Sequence, residues 1–328
     1  MHRKHPGTPW KTILLVILVV PVLAIALAVA LHVGSHASVP DATALPQSNL
    51  PTLPQVSPSV TIASPTITPS ITPAALSTPT LSLQDMLKLT LTPQVSSATL
   101  KIYQKGQTLG NNPHAFSKVG DCNSLDPYFL SYFDLGASAY NLDSYTFLQP
   151  AIDQFKGSFI RKSLAVGDGF NTSAVLSPSR ADPKACGTNE SPLACEYRVH
   201  KPSFAIIAIG TDDYLTPAKF EANMRTILDT TINLGIVPIL VTKMDNANQL
   251  NYNPTIAKLA IEYDIPLADL AQAMQPLPQK GLLDNIHPTG ATVAFNFSSN
   301  DLTHYGWPVR NLTILQAVYR TWRGVSQP

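Results

Sequence analysis

The sequence predicts an α/β domain built on a parallel sheet of about five strands, covered on both faces by helices and set at the end of a long N-terminal extension. Three observations predict it. Short apolar runs rich in Val, Ile and Phe alternate with stretches of helical period across the C-terminal two thirds of the chain. The first ninety-five or so residues differ sharply in composition from the remainder of the chain. Polar, chemistry-bearing stretches fall just past the ends of the apolar runs, where open parallel sheets place their ligand sites.

The chain has 328 residues and a formal net charge of +1, which gives no electrostatic case for nucleic acid as a partner. Residues 1–11 carry Arg3, Lys4 and Lys11. From Thr12 to Leu31 there is no charge, and the run is Leu, Val, Ile and Ala apart from Thr12 and Pro21. Such a run matches the hydrocarbon thickness of a bilayer, so 12–33 reads as a transmembrane signal-anchor. Lys88 is the first Lys or Arg after it, and the bias of positive charge places the N-terminus inside and the rest outside the cytoplasm. The rival reading is a secreted protein with a cleaved signal peptide, for which Ser35-His36-Ala37 supplies small residues, although the apolar run exceeds the usual h-region.

Residues 34–95 read as a disordered linker. Between 38 and 84 the only charge is Asp41, and Pro, Ser and Thr dominate, as in Ser64-Pro65-Thr66-Ile67-Thr68-Pro69. Proline fixes φ and donates no hydrogen bond, so this stretch favours extended polyproline-like conformations and a semi-rigid stalk. Its Ser and Thr are candidate O-linked sites. Asn171, Asn189, Asn296 and Asn311 begin N-linked sequons.

Residues 96–328 then form the folded domain. Strands are expected at Ala115–Val119, Phe159–Val166, Phe204–Ile209, Val237–Thr242 and Ile265–Leu270. Helices are expected at Pro217–Leu234, with Pro in its first turn and Gly235 at its stop, at Thr255–Tyr263, and at Val309–Trp322 to close the chain. Cys186 and Cys195 lie in a loop-like stretch containing Gly187 and Pro192. Outside the cytoplasm they can form a disulfide worth ~2–3 kcal/mol, the other reading being two reduced thiols. Cys122 is then the odd thiol, either reactive or a small apolar residue packed at a strand end.

Three stretches carry the candidate chemistry. Gly120-Asp121-Cys122 follows the first apolar run, and Gly210-Thr211-Asp212-Asp213 follows the third. Asp284-Asn285-Ile286-His287 sits near the end in a turn-rich segment bounded by Gly281, Pro288 and Gly290. An Asp three residues before a His can orient and charge-stabilise the imidazole, as a general base requires. His304 can line the same cleft, and His114 reads as a surface residue. No His, Cys, Asp and Glu spacing suits a metal, and no glycine loop suits a phosphate, so no cofactor is expected.

In order and spacing these stretches resemble the blocks of the SGNH/GDSL hydrolase family, over about 120 to 290. The resemblance implies a three-layer α/β/α sandwich, flavodoxin-like in its sheet, and ester hydrolysis or acyl transfer through an acyl-enzyme. It puts the nucleophile at Cys122, the base at His287 and its orienting carboxylate at Asp284. A thiol in that position needs less activation than a hydroxyl, and a nearby imidazolium can lower its pKa. Backbone N–H groups of Cys122 and of Gly169, or Gly167, would hold the oxyanion, Asp121 would shape the loop, and Gly210 would open the third block. Two positions depart from the family. Its nucleophilic Ser is Cys122, and its oxyanion-hole Asn is Asp212, whose carboxylate has no donor unless protonated beside Asp213. Asp213 itself reads as a helix N-cap or turn residue. The implied partner is a small-molecule or glycan ester. The rival is a catalytically degenerate module that binds glycan or a protein at the cell surface, and a third reading is an adhesive domain with an incidental cleft.

Overall fold

The computed structural model describes residues 95–125, 127–244 and 250–326. The expected signal-anchor and nearly all of the linker lie outside the described residues. Among the described residues no helix is long and apolar enough to cross a membrane.

The domain is α/β, with four strands in the order β1-β2-β3-β4, all parallel. They span β1 (Asn112–Gly120), β2 (Pro202–Ala208), β3 (Val237–Val241) and β4 (Leu267–Ala268). Every residue of β2 and of β3 is buried, so both faces of the central strands are covered. This is why those runs are continuously apolar rather than alternating. The helices are α1 (Ser97–Thr108), α2 (Cys122–Leu125), α3 (Gln149–Gln154), α4 (Pro192–His200), α5 (Pro217–Asn233), α6 (Asn253–Tyr263), α7 (Leu270–Met274), α8 (Ser299–His304) and α9 (Gly306–Ser326). They pack in two sets. α9 contacts α1, α3, α7, β3 and β4, while α5 contacts α6 and β3. Tyr103, Phe155, Phe204 and Trp322 join their rings across the first set.

Several sequence expectations are corrected. The strand expected at Phe159–Val166 is reduced to one parallel bridge, Gly120 to Val166. Side chains occupy the outer edge of β1 in its place. Arg161 Nη2 donates to Phe116 O at 3.0 Å, Ser163 Oγ to Lys118 O at 2.6 Å, and Ser158 Oγ accepts from Phe116 N at 3.2 Å. The strand expected over Ile265–Leu270 shrinks to two residues, because Asp269 caps α7 through Gln272 N. The loop-like stretch around Pro192 is the start of α4, with Pro in its first turn and Ser191 as cap. Cys195 on that helix is disulfide-bonded to Cys186, with Cα atoms 5.3 Å apart. Asn311 cannot serve as a glycan acceptor: it is fully buried in α9 and its amide bonds Tyr128 O and Ala294 O.

Candidate active site

All three motif stretches follow the carboxyl side of the sheet or meet it there. β1 ends at Gly120, Asp121 is fully buried, and Cys122 opens the single turn α2, half-buried. β2 is followed by Gly210 at φ 134°, a backbone setting suited to glycine. The stem of Lys243 lies 3.5 Å from where a Cβ on Gly210 would stand.

Asp284 and His287 form the expected pair. His287 Nδ1 lies 2.8 Å from Asp284 Oδ2, and Asp284 Oδ1 accepts the backbone N–H of His287 at 2.8 Å and of Ile286 at 3.1 Å. These hydrogen bonds to the charged form hold the Asp284 carboxyl down at about 2. Both side chains are half exposed, 50% and 47%. The turn that bears them is closed by the antiparallel bridge between Leu282 and Pro288 and by Leu283 N donating to His287 O at 2.8 Å. Its base is fixed to α9, since Thr289 Oγ1 accepts from Gly306 N at 3.0 Å and a Cβ on Gly306 would meet Gly281 O at 2.1 Å.

Asn123, fully buried beside Cys122, donates from Nδ2 to Ile286 O at 3.1 Å and so ties the His287 turn to the Cys122 turn. Among the described residues no hydrogen bond joins the Cys122 thiol to His287. The expected lowering of that thiol by an imidazolium is overturned. Burial first, then the charges of Asp121 and Asp212, push it up to about 11, against a smaller opposing pull from Lys243. A thiol so placed rests protonated at neutral pH.

Asp212 is part-buried and close enough to Cys122 to act on its ionisation. Its backbone carbonyl accepts from Asn171 Nδ2 at 3.2 Å. Asp213 is fully buried, with Oδ1 taking Thr172 Oγ1 at 2.7 Å and Oδ2 taking Thr172 N at 3.0 Å. It is not the helix cap, because Thr216 caps α5 through Lys219 N. Its carboxyl is raised by burial, and the Thr172 bonds oppose that rise. Asp213 thus clamps the 167–172 loop onto the loop after β2. In that loop Gly167 N is committed to Gly120 O at 3.4 Å, whereas Gly169 lies exposed with φ 64°. His304 ends α8, exposed, with Nδ1 2.7 Å from Asn300 O, and His114 is exposed on β1.

Two site residues went unread in the sequence. Lys243, buried just past β3, places Nζ 2.8 Å from Asp121 Oδ2. Arg310, buried in α9, reaches Asn123 O and Ser124 Oγ at 3.4 Å and stacks over Phe129 at 4.6 Å. Together Lys243 and Arg310 overcome the burial of Asp121 and hold its carboxyl below the usual range. The available signals were a Lys directly after an apolar strand run and an Arg inside an apolar helix pattern. Among the described residues, the His, Cys, Asp and Glu group close enough to hold an ion is Cys186, Glu190 and Cys195, whose two sulfurs are bonded to each other. No protein-family model matches the chain, and no curated protein matches it either.

Proposed function

We propose that the chain is a membrane-tethered, extracytoplasmic hydrolase or acyltransferase of SGNH/GDSL type, with the domain a three-layer α/β/α sandwich. The single observation that carries this reading is the Asp284–His287 pair at 2.8 Å on a turn that Asn123 ties to the Cys122 segment. His287 is the general base, Asp284 holds its tautomer and stabilises its positive form, and Cys122 attacks the ester carbonyl. The raised thiol favours one order of events. Cys122 is a neutral thiol at rest with no hydrogen bond to His287 among the described residues, so His287 must close on it to accept its proton as the sulfur–carbon bond forms. The same proton then goes to the leaving alkoxide, and water or another acceptor releases the acyl group. Backbone N–H groups of Cys122 and Gly169 are the donors for the oxyanion.

The second reading, a degenerate module that binds glycan or a protein, is favoured by Asp212. A carboxylate beside the thiol both raises the thiol and repels an oxyanion. Hydrolysis of an activated acetate ester by the purified full chain and by Cys122→Ala separates the two. The hydrolase reading expects turnover that Cys122→Ala lowers to background. Equal rates at background in both would transfer the assignment to binding.

A further inference from the structure

Three segments distant in sequence converge on one buried carboxylate beneath the candidate nucleophile. Asp121 Oδ1 accepts Asn123 N at 3.2 Å, while Oδ2 accepts Thr211 N at 3.1 Å and Lys243 Nζ at 2.8 Å. Lys243 is itself anchored on both sides of its backbone: its N–H donates to Asn253 Oδ1 at 2.7 Å and its carbonyl accepts from Asn253 Nδ2 at 2.9 Å. Asn123 in turn bonds the His287 turn through Ile286 O. Removing the Lys243 charge would leave a fully buried carboxylate without its ion pair at the junction of the Cys122 turn, the Asp212 loop and the His287 turn.

We infer that Lys243 is the positioning residue of this site: through Asp121 it locks the Cys122, Thr211–Asp212 and Ile286–His287 segments in register and supplies the positive charge that offsets the two carboxylates facing the thiol. The inference rests on the functional reading for its catalytic meaning but not for its test. The charged groups that act on Cys122 are Asp121 on its own segment, Asp212 from the loop after β2 and Lys243 from the end of β3. Arg310 from α9 acts on Asp121. Because Cys186 and Cys195 are bonded, thiol alkylation of the native chain reports on Cys122 alone.

The test is the pH dependence of iodoacetamide alkylation in full-length protein, compared with Lys243→Met and Asp121→Asn. Lys243→Met removes a positive neighbour. Asp121 keeps two backbone N–H groups and the field of Arg310, and alkylation is read at about pH 9.5, where even a buried carboxyl is ionised and the thiol has not yet titrated. Alkylation at fixed pH below the thiol's titration should therefore slow about tenfold, the effect of one pKa unit. Asp121→Asn removes a negative neighbour that acts on the thiol more strongly than Lys243, and alkylation should accelerate by at least as large a factor. In ester turnover both variants should lose kcat more than they raise KM. Shifts of opposite sign support the inference, because general loosening of the fold would expose the thiol and accelerate both. Shifts of the same sign, or none, overturn it. If Lys243→Met does not fold, Lys243→Gln, which keeps a polar head beside Asp121 without the charge, is read in its place against Asp121→Asn by the same criterion: opposite signs support the inference, the same sign or no shift overturns it. A wild-type chain that alkylates as expected but turns over no ester would sink the hydrolase reading and leave the positioning role standing.

Discussion

The residue that decides the chemistry is Asp212. On the proposed hydrolase reading its position calls for a donor, and it supplies a charge of the wrong sign for an oxyanion. Asp212→Asn restores an N–H and removes one of the two carboxylates that push the thiol up. The expected result is a gain of function: kcat on an activated ester should rise by roughly 10²–10³, the usual worth of one oxyanion donor. Faster thiol alkylation should accompany it. A variant no faster than wild type by either measure would show that Asp212 does not face the reaction. Asp284→Asn should act in the other direction, lowering kcat by about 10²–10⁴ through loss of the held tautomer. Because Asp284 is held at about 2, it stays ionised from neutral pH down through pH 4, and a depressed carboxyl loses its charge only as pH falls through that low value. Any fall in wild-type rate between pH 7 and pH 4 therefore belongs to another group, and a profile of kcat/KM against pH checks this. The Asp284–His287 pair was legible in the sequence because three residues within one turn fix its geometry locally. The setting of Cys122 was not, since the partner of Asp121 lies 122 residues on, at Lys243, and the offsetting charges arrive from the end of β3 and from α9.

At the scale of elements, the outer edge of β1 shows what hydrophobic pattern alone cannot read. Phe159–Val166 has the composition of a strand, yet Arg161 and Ser163 satisfy the β1 carbonyls with side chains, and only Val166 pairs by backbone. The local apolar content was correct, and the competition from polar side chains decided the outcome. The same arginine also neutralises Glu196, fully buried on α4, at 2.8 Å, and Glu196 accepts Ser117 Oγ at 2.5 Å and Leu164 N at 2.8 Å. Arg161→Met should destabilise the domain by about 3–5 kcal/mol, the cost of leaving one member of a buried pair uncompensated. Urea unfolding measures it, and Arg161→Met combined with Glu196→Gln should recover much of the loss. Additive losses in the double variant would mean that the pair is not the fastening of this edge. The inner strands were easy to read for the opposite reason: with both faces buried, β2 and β3 contain nothing but residues that pack. Helix α1 went unread because its residues are on balance polar, although its apolar stripe is as marked as that of α5; α4 has a weaker stripe, and Pro192, taken as a loop signal, is its first residue.

At the scale of the whole molecule, the sequence separates location from chemistry. Every feature of the candidate site lies between Asp121 and Arg310, and among the described residues no helix is long and apolar enough to cross a bilayer. The uncharged run Thr12–Leu31, outside the described residues, is the stretch of the sequence whose length and composition match a bilayer core. The Cys186–Cys195 disulfide fits the side of the membrane that the charges of Arg3, Lys4 and Lys11 assign to the domain, because such bonds persist in oxidising compartments. These inferences combine into one expectation. The full chain should stay in the membrane fraction after alkaline carbonate extraction. A chain starting at Gly34 behind a cleavable export signal should be released, still disulfide-bonded and still reactive at Cys122. Expression of the full-length chain that yields protein in the medium with its N-terminus beyond Ala37 would replace the anchor by a cleaved signal peptide. Residues 34–328 that still pellet would place the membrane contact on the domain, where no described helix predicts it. Release with the disulfide intact would support the reading of residues 34–95 as the spacer between an N-terminal anchor and the domain that carries Cys122 and His287.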